Sequence, residues 1–279
     1  MFTAKVKNKR GDSLVLFPSR DYAVRIIGLT PPAAALNFAT VATNDGSIYN
    51  SGRTENRNIV LDIRPLRNVE KNRIALYKVF KLKKQCEFYF KNGSRDVFIE
   101  GYVETIDGDL FEEGQSIQVS IICNKPNFKA LEETISDISS VVSLFSFPFA
   151  IDVDGIELAR IEKLTEKNVY NYGDTESGLI IELRATGKTS NPIIYDEAGG
   201  SFGIKIDLTE GDKITINTNK GEKSAYLLKD GVESNIINKV IPGPTWFTLQ
   251  PGDNIFSYTA TNPDLLQIVF KHFAQFEGV

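Results

Sequence analysis

Apolar and polar residues alternate along most of this chain, and nearly every alternating run ends at Gly, Asn or Asp. The pattern is clearest from Gly187 to Tyr258. There Ile204, Ile206 and Leu208 fall on one face of an extended segment, with Lys205 and Asp207 on the other. Ile214 and Ile216 repeat it after the turn Glu210-Gly211-Asp212, and Ala225 to Leu228 follows after Asn219-Lys220-Gly221. Asp230-Gly231 ends that run. A period of two buries one side of each strand and leaves the other wet. Short strands at this spacing predict an antiparallel sandwich or barrel.

The first half reads the same way. Residues 4–10 and 13–17 form a predicted hairpin around Gly11-Asp12, and Tyr22 to Leu29 is a further strand. Phe38 to Val41 and Ile59 to Ile63 alternate, while Asn44 to Asn58 between them is polar and rich in turn residues. Such an excursion costs little closure entropy but is uncommon unless it contacts something. Asn68 to Lys84 is the one predicted helix. Asn68 suits its cap, Glu70 its positive end and Lys81, Lys83 and Lys84 its negative end, with Ile74, Leu76, Tyr77 and Phe80 as its apolar stripe. Glu87 to Phe90 and Val97 to Glu104 pair across the turn Lys91-Asn92-Gly93-Ser94, and Ser116 to Cys123 closes the unit. Leu131, Ile135, Ile138, Val142 and Phe145 have helical spacing, yet their Ser-rich, β-branched setting weakens a helix. That junction reads as a short helix or an extended linker, and Leu265 to Phe270 is the closing strand of the second unit.

A chain of 279 residues with 42% hydrophobic and 24% charged residues suits two globular domains. No apolar run approaches the roughly 18 residues that span a bilayer, and the start of the chain lacks a signal-peptide core. No membrane is expected, and the cytoplasm is the default place of folding. The net charge of -4 hides an asymmetry. Through Phe128 there are 19 basic and 14 acidic residues, and the remaining stretch has 13 and 22. Opposite signs suit stacking or partner orientation, and two differently solvated surfaces give the same counts. Cys86 and Cys123 sit in strand-like context and read as buried, reduced thiols.

Candidate chemistry is sparse. Gly199 to Gly203 fits G-x-S-x-G with Ser201 as nucleophile, but an alternating strand follows it where a helix is required. The one histidine, His272, would have to be its base. Asp107, Asp109, Glu112 and Glu113 outline a calcium-like loop whose order Phe111 breaks, and Asp152-x-Asp154-Gly155 reads as a turn. No phosphate-cradling glycine run precedes a helix. No catalytic residue, metal site or cofactor is therefore expected. Arg53, Arg57, Arg64 and Arg67 read as solvated or subunit-contacting, because no aromatic interleaving supports nucleic-acid binding.

Two sets of motifs carry a family resemblance. The first runs Asn191-Pro192, Gly211 to Ile216, Gly221 to Ser224, Asp230-Gly231, then W-x-x-L-x-PG-x-N-x-I-x-Y from Trp246 to Tyr258. The second runs L-x-F-x-T with the polar excursion, I-x-L-D-I-R-P, N-R-x-x-L-Y-x-x-F, FYF-x-NG, G-Y-V-E-x-I-D and the Q-V-S-I-I-C-N-K-P-N-F exit. In this order they resemble the siphophage distal tail proteins (Dit) over nearly the whole chain. The resemblance implies a mainly β protein with an N-terminal split β-sandwich or barrel over 1–128, carrying helix 68–84 and a long arm loop. A junction over 129–147 and a galectin-like antiparallel β-sandwich over 148–279 would follow.

It also implies a structural virion protein, not an enzyme. Six copies would form a ring at the distal end of the tail tube, assembled in the host cytoplasm. Expected partners are the tail tube protein, a tail tip or hub protein, and receptor-binding or baseplate proteins, with DNA only passing through the lumen. The arm supplies the subunit-interface candidates Asn44, Tyr49, Arg53 and Arg57. The alternative is a module binding host-surface glycans, with Trp246 as the stacking platform beside Phe247 and Tyr258. A galectin-like His and Arg set does not accompany Trp246, and packing under the Pro251-Gly252 turn is the favoured account of it.

Overall fold

In the computed structural model, residues 1–40, 45–109, 111, 114–143, 159–163 and 166–279 are described. The chain divides into two units, residues 1–131 with 275–279, and residues 132–274. This redraws the sequence division, which gave 129–147 to a junction and everything beyond to the second domain. Phe128–Ala130 is a strand of the first unit, Thr134–Asp137 a strand of the second, and Gln275–Phe276 returns to pair with Phe128–Ala130. Of the two readings of the junction, the described part is extended: Ser139–Ser143 is a strand.

The first unit runs β1 (Thr3–Asn8), β2 (Ser13–Phe17), β3 (Tyr22–Ile27), β4 (Ala34–Thr40), β5 (Ser47–Thr54), β6 (Arg57–Pro65), α1 (Val69–Val79), β7 (Gln85–Asn92), β8 (Arg95–Gly108), β9 (Ile117–Cys123) and β10 (Phe128–Ala130). Its main sheet has the order β2-β1-β7-β8-β9-β6-β3, and the two edge strands approach each other, so the sheet nearly closes into a barrel. The alternation dictates the inside. Ile59, Leu61 and Ile63 of β6 and Val119 and Ile121 of β9 are buried, and a one-residue slip would turn them all outward. Gly101 lets β8 close over β9, since a Cβ there would lie 2.5 Å from Ile121 Cγ2 and 2.8 Å from Cys123 Sγ. Both thiols are free and buried, and burial pushes Cys86 up to about 11 and Cys123 up to about 12.

The helix is shorter than the sequence predicts, ending at Val79 instead of Lys84. Phe80 is extended, Lys83 takes φ 62°, and the Lys83 and Val103 amides bond across to β8 and the turn, so the lysines lie beyond the helix. Asn68 occupies the cap position in a left-handed conformation, and its side chain makes no cap bond. Leu76, Val79 and Phe80 are buried, whereas Ile74 and Tyr77 are exposed. Asn8 supplies the missing cap at the other end. Its buried amide donates to the Lys78 and Val79 carbonyls at 3.2 and 3.4 Å, and its Oδ1 accepts the Arg10 and Asp12 amides.

The second unit packs two sheets face to face. One has six strands in the order 134–137, 266–272, 180–185, 213–217, 224–229, 232–235, and the other has four in the order 166–168, 255–259, 193–196, 201–203. Ile181, Leu183, Ile214, Ile216, Ile268 and Phe270 of the first meet Ile194, Phe202 and Phe256 of the second. The run Ile204 to Leu208 is not one strand: Ile204 bridges Val240, and Asp207–Leu208 pairs with Thr189–Ser190. Its three apolar residues are nonetheless buried, as their spacing predicts.

Two carboxylates tie this unit together. Glu182 takes the Lys213 and Lys271 ammonium groups at 2.8 and 3.0 Å, and Asp212 takes the Thr209 amide and hydroxyl and Lys229. Burial pushes both carboxyls up, but the lysines and hydrogen bonds outweigh it and hold both below their ordinary values. With the folded value below the unfolded one, each contributes stability above the ordinary carboxylate range that is lost as pH falls through it. Calorimetry at pH 7 and pH 3 is expected to show the second unit losing about 1–3 kcal/mol from these two groups. The Glu182→Gln, Asp212→Asn double variant is expected to flatten that acid slope, and an unchanged slope would count against the assignment.

Candidate assembly interface

Between β3 and β6 the chain leaves the barrel. Gly28 makes the exit, with φ 93° and a position where a Cβ would fall 2.1 Å from the Asn58 carbonyl oxygen. The following hairpin, β4–β5, is a sheet of its own that pairs with no third strand among the described residues. All eight residues of β5 are exposed, and no residue of β4 is buried.

The hairpin is nevertheless apolar on one face. Phe38 and Tyr49 pair in register and meet edge to face at 5.9 Å. Leu36 stands opposite Gly52, where a Cβ would collide with Tyr49 Oη at 2.7 Å and crowd Leu36 Cδ2 at 3.1 Å, so Leu36 and Tyr49 converge over the glycine. Leu36, Phe38, Ile48 and Tyr49 are each at least 50% exposed. A lone two-stranded ribbon is marginal in water, and an exposed apolar face on one marks a contact surface.

The predicted interface residues separate here. Tyr49 and Arg53 lie on β5 and are exposed; Asn44 falls outside the described residues. Arg57 is corrected. It is 2% exposed and begins β6 at the root of the hairpin. Its Nε donates to Pro126 O at 2.5 Å, Nη1 to Gly28 O and Thr30 O at 2.6 Å, and Nη2 to Glu277 O at 2.5 Å, while the guanidinium lies 4.4 Å from the centre of the Phe128 ring. Burial pulls it below its ordinary value, yet an arginine stays charged. Four of its five N–H groups are thus engaged within the first unit. Sequence reasoning missed Leu36 and Phe38, whose alternation looks the same as that of a core strand.

The residues considered for chemistry do not assemble. Ser201 lies in the four-stranded sheet, and its amide donates to Thr245 Oγ1. His272 ends a strand of the other sheet, 2% exposed, with neither ring nitrogen hydrogen-bonded; burial pushes its pKa down. A nucleophile needs its base within hydrogen-bond reach, and these two are not so placed. Trp246 is half-buried, edge-on against Phe202 at 5.0 Å with the Lys223 ammonium 5.5 Å from its ring centre. Lys81 and Lys84 line a cavity of about 190 Å³ with Lys9 and Arg10.

Known proteins add an independent line. Residues 172–272 match the family model described as the siphovirus-type tail component, C-terminal domain. The crystal structure of phage SPP1 Dit (gp 19.1), described as a paradigm of the hub adsorption apparatus in phages infecting Gram-positive bacteria, aligns over 99% of both chains. Its TM-score is 0.70 at 12% identity. Chains of the phage p2 baseplate in its activated conformation, with strontium and with calcium, align over 100% of both chains at 10% identity, with TM-scores of 0.55 and 0.52. No curated protein sequence matches.

Proposed function

We propose that this chain, a siphovirus tail component of the Dit family, closes as six copies into a ring at the distal end of the tail tube. The first unit forms the ring. The second, a galectin-like sandwich, serves as an adaptor for baseplate or receptor-binding proteins, and the ring joins the tube to the tail tip. DNA passes the lumen without being recognised, no reaction is performed, and the protein is assembled in the host cytoplasm and carried in the virion.

The observation that carries the ring is the β4–β5 hairpin, which presents Leu36, Phe38 and Tyr49 to solvent. A contact between unlike surfaces of identical subunits closes into a ring when its rotation divides the circle, and a protruding arm facing a neighbouring barrel is such a contact. Ordering the arm then gains interface burial against its lost freedom. Negative-stain microscopy of the purified protein is expected to show a sixfold annulus with a central channel. Solitary particles at every concentration, and in the presence of tube protein, would overturn the reading.

A further inference from the structure

The hairpin has two roots. Gly28 to Ala33 leads into it and Glu55-Asn56 leads out, and the Glu55 amide donates to the Ala33 carbonyl at 3.0 Å where they meet. Arg57 follows the second root directly and binds two carbonyls of the first, Gly28 O and Thr30 O. The same guanidinium holds Glu277 O, and the Val279 amide donates to Leu29 O at 3.1 Å between those two carbonyls. Gly278 fits against Leu29 and Pro31, where a Cβ would lie 3.3 Å from Leu29 O and from Pro31 Cδ.

The segment is itself fastened. Phe276 pairs with Phe128 and Gln275 with Lys129, Arg95 lies 4.8 Å from the centre of the Phe276 ring, and an Arg95 amine donates to the Gly278 carbonyl. Four segments distant in sequence, 28–31, 57, 126–129 and 275–279, therefore converge where the arm begins.

We propose that Arg57 and Gln275–Val279 form a clasp that positions the arm, fixing the direction in which β4–β5 leaves the barrel. The inference rests on the arm being the ring contact, and deepens it by naming what aims the arm. At about 3.4 Å per residue, seven-residue β4 reaches roughly 20 Å, so a root rotation of about 10° displaces the tip by roughly 3–4 Å. A head-to-tail contact closes only at one angle; at other angles it makes open or irregular chains. The clasp sets that angle. Releasing it leaves the arm able to bind and unable to close the ring.

The test is pulsed EPR on the full chain with labels at Ser51→Cys on the arm and Lys71→Cys on α1, both exposed, under dilute, dissociated conditions. The native thiols are buried and do not compete. The clasped chain is expected to give one narrow distance distribution. Arg95→Ala with Phe276→Ala, which unfastens residues 275–279, is expected to broaden it about twofold or more and to turn rings into open or mixed assemblies. Phe276→Leu, which keeps the packing, is expected to restore both. Exchange protection of β6 to β9 serves as the control for folding, because a merely structural loss lowers it while a positioning loss does not. Phe276→Ala alone, which loosens residues 275–279 while leaving Arg57 and Arg95 in place, is expected to broaden the distribution likewise and covers the case in which the double variant misfolds. An unchanged width with unchanged rings overturns the proposal. A wild type that never forms rings overturns the ring reading alone, since the distance measurement still reports on the clasp.

Discussion

Arg57→Met is expected to unfold the first unit far more readily than the wild type while leaving the second unit's transition where it is. Methionine keeps most of the stem's volume, so the loss measures the guanidinium and not a cavity. Removing the guanidinium strips donors from four carbonyls, those of Gly28, Thr30, Pro126 and Glu277, and a cation from the face of Phe128. An unmatched buried carbonyl costs about 1–3 kcal/mol, so about 4 kcal/mol or more is at stake. Against the roughly 5–15 kcal/mol of a whole domain, that removes a large share. Calorimetry of the full chain is expected to show one transition falling by about 10 °C or more and the other unmoved. A first transition within about 2 °C of wild type would mean that water replaces the guanidinium at little cost, and the account of the buried arginine would fail.

This site also shows where the sequence stops being informative. The carbonyls around Arg57 come from residues 27, 29, 69 and 220 positions away, so no local pattern marks it. An arginine after Ser51-Gly52-Arg53-Thr54-Glu55-Asn56 reads as the end of a solvated loop. Alternation reports which side of a strand is buried, and it did so for Ile59, Ile214, Ile216 and the run from Ile204 to Leu208. It does not report what the strand pairs with. Leu36 and Phe38 therefore carry the same alternation as a core strand, although among the described residues β4 pairs with β5 alone. The helix overran for a related reason: Lys81 to Lys84 suit a helix end by charge, but tertiary bonds to β8 take the chain away before it gets there. The return of residues 275–279 to the first unit is likewise a long-range pairing, with Phe128 opposite Phe276. The family motifs carried more, because their order reflects the whole fold and not a single segment.

Replacing residues 34–54 with a short Gly-Ser link is expected to give a folded protein that remains a monomer. The roots already touch through the Glu55 amide and the Ala33 carbonyl, so a few residues span the gap without strain. No described side chain of β4 or β5 is buried, so the barrel core stays complete and the first unit's melting temperature is expected to move by no more than about 2 °C. A cut at Asn44 to Asn58, the limits suggested by polarity alone, would also remove Arg57 and Asn58, the first two residues of β6, and would confuse loss of assembly with loss of fold. With the cut at 34–54 the two separate. Light scattering is expected to report the monomer mass for the shortened chain at concentrations where the full chain, on the proposed reading, closes into rings. A ring of correspondingly smaller protomers, still sixfold, would show that the arm is dispensable and that some other face of the barrel joins the subunits. The apolar face of Leu36, Phe38 and Tyr49 would then need a different partner, one met only in the finished tail.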